Sequence, residues 1–284
     1  MRKTLPLKSF VLCVLLLLTT ACSSSFVYNR LDTLAGWYLG SLVSLDADQR
    51  QQLQQWLTRT LDWHRQSELQ RYAGFLRELS QQVLQPGTPA SYEQTQKQFE
   101  RFWADFVAKT APDAAALLQR LSPQQVDELI GNMDEKARER AGKEAGDLDE
   151  WRRDQVKGLT RFLKRWSGSV SDEQKALIAA TAAQLEPSQH EWLASQAAWQ
   201  RDLETILRTD AVSGEKTARI EQLLTHADNR WTQEYVDKSQ RNRQRYLDLI
   251  TSLDATLSSR QRQHMRSKLL ELAAQLDTIA RGKS

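Results

Sequence analysis

Four histidines, at positions 64, 190, 226 and 264, are the first places to look for acid–base or metal chemistry. None falls in a His-x-x-x-His or His-Glu-x-x-His phrase, and the two cysteines, Cys13 and Cys22, form no cluster with them. A zinc site needs that kind of spacing, so no metal ligand set is expected. Ser213-Gly214-Glu215-Lys216 matches the Ser-x-x-Lys phrase of penicillin-binding enzymes, but both partner motifs are missing. Ser213 reads better as a helix cap. No Gly-x-Ser-x-Gly elbow, phosphate loop or Cys-x-x-Cys-His haem site occurs. The expectation is a chain with no catalytic residue, no cofactor and no metal.

What remains is binding chemistry. Trp63, His64, Arg65, Arg71 and Tyr72 form one aromatic and basic cluster, and Arg241, Arg243, Arg245 and Tyr246 form another, near Trp231 and Tyr235. Arginines beside aromatic faces hold phosphate, glycan or carboxylate groups. They also occur as solvated faces whose stems cover core rings. If the two long helices that carry these clusters pack together, both clusters line one groove. A third set, Tyr28, Asn29, Arg30, Asp32, Trp37 and Tyr38, sits on a short glycine-punctuated segment. It reads either as a docking surface beside a membrane, where Trp and Tyr concentrate, or as a first helix packed on the core.

Helices must position these residues. Apolar residues recur at steps of three and four from Leu53 through Trp56, Leu57, Leu61, Tyr72, Phe75, Leu76 and Leu79 to Val83. That spacing predicts one amphipathic helix over 45–83, ended by Pro86-Gly87-Thr88-Pro89. Ser91 is placed to cap the next helix, and Pro112 to end or restart it. Residues 131–148 are charged and poor in apolar side chains, which marks a solvated helix segment, a loop and a possible sub-boundary. Further helices are expected near 149–166, 171–184, 188–209, 214–252 and 258–281. The 284 residues include only 11 Gly and 6 Pro but 29 Gln, which suits helices and not sandwiches or barrels. The expected fold is all-α: eight or nine mostly antiparallel amphipathic helices, two of them long, in a single domain over 26–281.

The amino terminus addresses the chain. Arg2, Lys3 and Lys8 precede an apolar run from Phe10 to Leu18, followed by Ala21-Cys22-Ser23-Ser24-Ser25. Nine apolar residues are too few for a membrane span, so residues 1–21 read as a signal peptide. Removing residues 1–21 takes three of the 39 basic residues and none of the 36 acidic ones. Net charge then falls from +3 to zero, and the basic footprint that nucleic-acid binding needs is absent. Ala21-Cys22 after small residues resembles the lipobox of bacterial lipoproteins, although Thr19 replaces the usual Leu. That resemblance implies a lipidated Cys22, a serine tether over 22–25 and permanent anchoring by acyl chains. Ser23 after the cysteine implies the outer membrane, with the domain facing the periplasm. Without Cys13 and Cys22 no disulfide is left to hold the exported domain.

A phrase recurs five times: Leu45 to Gln49, Leu121 to Gln125, Val170 to Gln174, Leu185 to Gln189 and Leu257 to Gln261. An apolar residue is followed by a Ser or Asp cap and, three residues later, by Gln, a capping-box pattern worth about 1 kcal/mol per cap. Glu186 makes the fourth copy the loosest. The phrase is similar to the Leu-Thr-x-x-Gln motif of Spy-like periplasmic stress chaperones, where it sits at turns of a helical cradle that binds unfolded clients. More broadly, Tyr28-Asn29-Arg30-Leu31-Asp32, Trp37-Tyr38-Leu39, the copy at Leu45, Trp63-His64-Arg65, Arg71-Tyr72 and Tyr246-Leu247 resemble, as a set, an uncharacterised family of Gram-negative lipoproteins with a domain of unknown function. The resemblance implies a helical, lipid-anchored envelope protein and supplies no activity. The expected role is a non-catalytic binding, scaffold or chaperone-like protein whose partners are the membrane and a protein or unfolded client. An enzyme of cell-wall glycan or peptide, or a lipid carrier, is the alternative. A buried, isolated acid in a cleft would mark the enzyme, a basic acid-free groove the binding protein and an apolar tunnel the carrier.

Overall fold

A computed structural model describes residues 28–143, 147–210 and 212–282. The signal peptide, Cys22 and the serine tether therefore lie outside the described residues. The all-α class holds, and no strand occurs among the described residues. The helices are α1 (Leu31–Gly40), α2 (Ala47–Trp63), α3 (Leu69–Gln82), α4 (Pro89–Leu118), α5 (Pro123–Lys143), α6 (Leu148–Ser167), α7 (Asp172–Gln184), α8 (Gln189–Arg208), α9 (Ser213–Thr225), α10 (Gln233–Ala255) and α11 (Ser259–Ala280). A π turn, His64–Glu68, joins α2 to α3 without interruption. Taking that rod as one helix, the described residues hold ten, not the eight or nine expected.

Apolar side chains bury in three clusters. Val43, Ala115, Val126, Leu203 and Ile220 join the α1–α2 loop to α4, α5, α8 and α9. Tyr28, Leu69, Ala73, Ala273 and Leu276 close α3 against α11. Leu163, Ile178 and Leu249 join α6, α7 and α10. The α3–α11 pairing is antiparallel, with Arg77 paired to Asp277 and Arg262 Nη1 donating to the Val83 carbonyl at 3.1 Å.

Four copies of the recurring phrase are true capping boxes, and they come together in two pairs. Gln49 and Gln125 exchange amide hydrogen bonds, Gln49 Nε2 to Gln125 Oε1 at 3.0 Å and Gln125 Nε2 to Gln49 Oε1 at 2.6 Å. Each amide also donates to the carbonyl two residues before its partner's cap: Gln125 to Ser44 at 2.8 Å and Gln49 to Arg120 at 3.2 Å. Gln174 and Gln261 repeat the arrangement, at 3.3 and 2.9 Å, reaching the carbonyls of Thr256 at 3.4 Å and Ser169 at 3.0 Å. The caps themselves, Asp46, Ser122, Ser171 and Ser258, each accept from their glutamine's backbone N–H. One node clamps the start of α2 and the other meets the end of α3. They are separated by some 36 residues of rod, or ~50 Å at 1.5 Å per residue.

Several local expectations change. The fourth copy forms no box: Ser188 precedes α8 without a side-chain cap bond, and Glu186 turns to Arg241 and Arg245 instead. Thr88, not Ser91, caps α4, with Pro89 at its first turn and Ser91 completing the box. Helix α4 runs straight through Pro112. Proline removes one intrahelical bond, and burial of Ala111 and Ala115 beneath α9 outweighs that loss. The helix expected over 214–252 breaks at a 3-10 turn, Ala227–Arg230, and restarts where Thr232 Oγ1 accepts from Tyr235 N at 3.2 Å. Val212 holds the cap position of α9, and Ser213 begins the helix. The weak segment over 131–148 is helical to Lys143, and residues 144–146 lie outside the described ones.

Candidate functional site

The π turn brings together two residue sets that the sequence left apart. One extra residue per turn carries the Leu69 N–H back to the His64 carbonyl. His64 and Glu68 are both drawn inward there. Tyr28, buried at 2% exposure, places its hydroxyl 2.9 Å from His64 Nδ1. The imidazole lies edge-on to Tyr72 and Phe106 at 5.5 and 6.2 Å between centroids, with Trp63 at 6.3 Å. Burial lowers the His64 pKa to about 4 and raises that of Tyr28 to about 12. The neutral imidazole shares a hydrogen bond with the Tyr28 hydroxyl at Nδ1, and that hydroxyl also lies 3.4 Å from the Leu61 carbonyl. Arg65 stands over the Tyr28 ring at 5.3 Å and donates to Asn29 Oδ1 at 3.0 Å.

Glu68, at 2% exposure, is the residue that the sequence reading missed. Its two oxygens accept from Arg71 Nη1 at 2.8 and 2.9 Å, while Arg71 Nη2 donates to Asp105 on α4 at 2.8 Å. Arg71 is held more firmly cationic by Asp105 and Glu68, and burial pushes the Tyr72 hydroxyl up. With both carboxylate oxygens committed to Arg71 and Nδ1 committed to Tyr28, the cluster is a clasp. It fastens the incoming chain and α4 to the rod. Only the π turn could have disclosed Glu68, and no residue pattern announces one.

Below the clasp, α3 and α4 splay around a groove of about 640 Å³. Its floor is Phe75 and Phe102, 5.6 Å apart, with the Tyr72 ring tilted against Phe102 at 4.7 Å. Its walls carry Gln70, Gln82, Gln94 and Gln98, of which the first three are exposed. Glu78 and Arg101 stand at its sides, and Arg101 donates to Gln98 at 2.6 Å. The groove is thus neither acid-free nor strongly basic. The signal for it in the sequence was the density of Gln along 70–98, which was read only as a mark of helices.

The second arginine cluster lies elsewhere. Arg241 holds Glu186 through two bonds of 2.9 and 2.7 Å, and Arg245 adds a third of 2.7 Å. Asn242 clips the Glu186 backbone from both sides, at 2.9 and 2.7 Å. These guanidinium groups pull the Glu186 pKa down to about 2. Arg243 donates to Gln96 on α4 at 3.1 Å, and burial raises the Tyr246 pKa. Trp231 meets Tyr235 edge-on at 5.4 Å. The single groove expected from both arginine clusters does not form. Each cluster leans on α4 separately, at Asp105 and at Gln96, about 13 Å apart along its axis. Each arginine other than Arg243 has an acid or a buried ring as its partner.

Helix α1 is different again. Asp32 folds back to its neighbour's N–H at 2.7 Å and accepts from Gln54 at 3.4 Å. Arg30 precedes the helix at its cap position. Leu34, Trp37 and Tyr38 are 50%, 75% and 45% exposed. Lys136 of α5 sits over the Tyr38 ring at 4.9 Å and donates to Ser41 Oγ at 3.2 Å. Among the described residues no cluster of His, Cys, Asp and Glu is arranged to hold a metal ion, and no helix is long and apolar enough to cross a membrane.

Comparison with known proteins places residues 41–236 in a family of unknown function, DUF6279. No curated protein and no solved structure matches the chain.

Proposed function

The chain belongs to the DUF6279 family, over more than half its length, and from that premise we propose that it is a lipid-anchored periplasmic protein of the outer membrane that binds polypeptide clients without catalysis. The observation that carries this reading is the glutamine-walled groove between α3 and α4. A primary amide can both donate to a backbone carbonyl and accept from a backbone N–H, and does so whatever the client's side chains. The phenylalanine floor takes an apolar side chain from above. An anionic ligand would call for several unpaired cations, whereas Arg71 is already committed to Glu68 and Asp105, Arg101 is bonded to Gln98, and Glu78 adds negative charge to the same groove. A general acid would call for a raised carboxyl pKa, and the displaced carboxylates, Glu128, Asp172, Glu186 and Glu191, are all lowered. Lipidation at Cys22 and the Leu-x-x-x-Gln likeness to the periplasmic chaperones supply the location and the client class.

A photo-cross-linking amino acid at Gln94 tests the reading in cells. The expected products are many unrelated envelope polypeptides, more abundant under folding stress, with none from the same probe at Ser267 on α11. One or two products in fixed ratio would replace the chaperone reading with a scaffold. Products with cell-wall glycan alone would overturn polypeptide binding.

A further inference from the structure

Helix α1 inverts the usual surface pattern. Thr33, Leu34, Trp37, Tyr38 and Ser41 are exposed, at helical spacing, while Leu31, Ala35 and Leu39 are partly covered. Its inner side meets α2, where Gly36 lies 3.8 Å from Leu57 for any added Cβ. The outer stripe thus presents an indole, a phenol and a leucine to the surroundings. Asp32 is the one charged side chain of α1, and it is turned toward Gln54. Arg30 stands at the start of α1, and Lys136 is seated at the rim of the stripe against the Tyr38 ring. Trp and Tyr with a flanking Lys is the composition that settles at the boundary between headgroups and acyl chains. An indole and phenol have apolar bodies and polar tips, and the ammonium meets lipid phosphate.

The chain's own covalent path says which surface is within reach. Five residues lie between Cys22 and Tyr28, and the six Cα-to-Cα steps span at most ~20 Å when fully extended. Tyr28 is then fixed by the His64 contact, three residues before α1 begins. If Cys22 carries lipid, Tyr28 is held within that distance of the headgroups, and the stripe follows six to ten residues later on the helix that Tyr28 introduces. We propose that the Leu34–Trp37–Tyr38 face of α1 lies in the periplasmic headgroup layer of the outer membrane and, with the lipid, fixes how the domain stands on it. The proposal rests on the anchored reading above and goes beyond it. A lipid alone is a swivel, whereas a lipid plus an interfacial helix makes two attachment points and sets an orientation. The groove and the distal node then project away from the bilayer.

The test uses the full lipidated chain, reconstituted in vesicles of phosphatidylethanolamine and phosphatidylglycerol. Leu34→Cys carries a polarity-sensitive fluorophore, with Ser267→Cys on α11 as the control. Chain that floats with the vesicles should show a blue-shifted Leu34→Cys signal, quenched by lipids spin-labelled near the headgroup, and a water-like Ser267→Cys signal. Leu34→Ser, Trp37→Ser and Tyr38→Ser combined should still float and keep their helical circular dichroism, while a probe at Ser41→Cys loses its shift. Flotation with a water-exposed probe at Leu34→Cys overturns the proposal and leaves the anchor intact. Flotation with a shielded probe that lipids fail to quench, and that cross-links to a second copy, overturns it in favour of self-association. Failure to float sinks the anchor reading and this proposal with it.

Discussion

The two glutamine nodes have the same wiring and different surroundings. At the first, Gln49 is 7% exposed and Gln125 is half-buried. Its caps are Asp46 and Ser122, and Glu128 grips the adjoining Ser44 through its N–H at 2.8 Å and its hydroxyl at 2.6 Å. At the second, Gln174 is fully buried, Gln261 is 5% exposed, and both caps are serine. The buried pair Arg262–Asp254, at 2.8 Å, stands beside it. The same hydrogen bonds therefore stabilise by different amounts. Where water can replace a lost partner, the loss is modest; where it cannot, the orphaned group bears its full desolvation cost. The node at the end of α3 is the rigid one and the node at the start of α2 the adjustable one.

The largest effect should separate them directly. Gln174→Ala leaves a cavity and strands groups of Gln261 and Ser171, and should lower unfolding free energy by about 3 kcal/mol in urea titration. Gln49→Ala should lower it by about 1 kcal/mol, since water reaches Gln125. Equal losses would mean that burial is not what distinguishes the nodes. Next comes the clasp that lies between them. Burial holds His64 neutral, with its pKa lowered to about 4 from 6.5. Between those values the unfolded chain binds a proton that the folded chain refuses. Stability should be full above 6.5, fall by about 3 kcal/mol as pH drops to 4, and level off below. His64→Phe should flatten that slope in thermal melts at stepped pH, isolating what the nodes themselves do in acid. The smallest effect concerns Glu128, lowered below its ordinary 4.5 by the Ser44 hydroxyl and N–H. Its contribution is present above that pH and lost as pH falls through the lowered value. Amide exchange at Ser44 should quicken there, Glu128→Gln should abolish the change, and amides at Ser169 and Thr256 should not respond.

How much of this was legible follows from range. The boxes at Asp46, Ser122, Ser171 and Ser258 were readable because a cap and its glutamine are three residues apart, and the physics closes within one turn. The pairing of Gln49 with Gln125 was not, because it depends on how two helix starts meet 76 residues apart. The clusters around His64 and Arg241 were seen as residues, but not as partners. Tyr28 for His64, Glu68 for Arg71 and Glu186 for Arg241 all required the fold. The groove was expected where arginines gathered and formed where Gln and Phe faced each other across α3 and α4. Pro112 misled for the opposite reason: a local rule, correctly applied, gave way to burial of Ala111 and Ala115.

The π turn leaves one more consequence, in the rotational phase of the rod. Each residue of an α-helix advances the chain by ~100° about its axis. The residue inserted within His64–Glu68 lets α2 and α3 share an axis while facing different ways. The leading half turns toward α1 and α4 and the trailing half toward α11, like two lobes set at an angle on one camshaft. If the same residues wound as an ordinary α-helix, the α11 seat would swing by more than a quarter turn. The angle between the two ends of the rod is stored in that one turn.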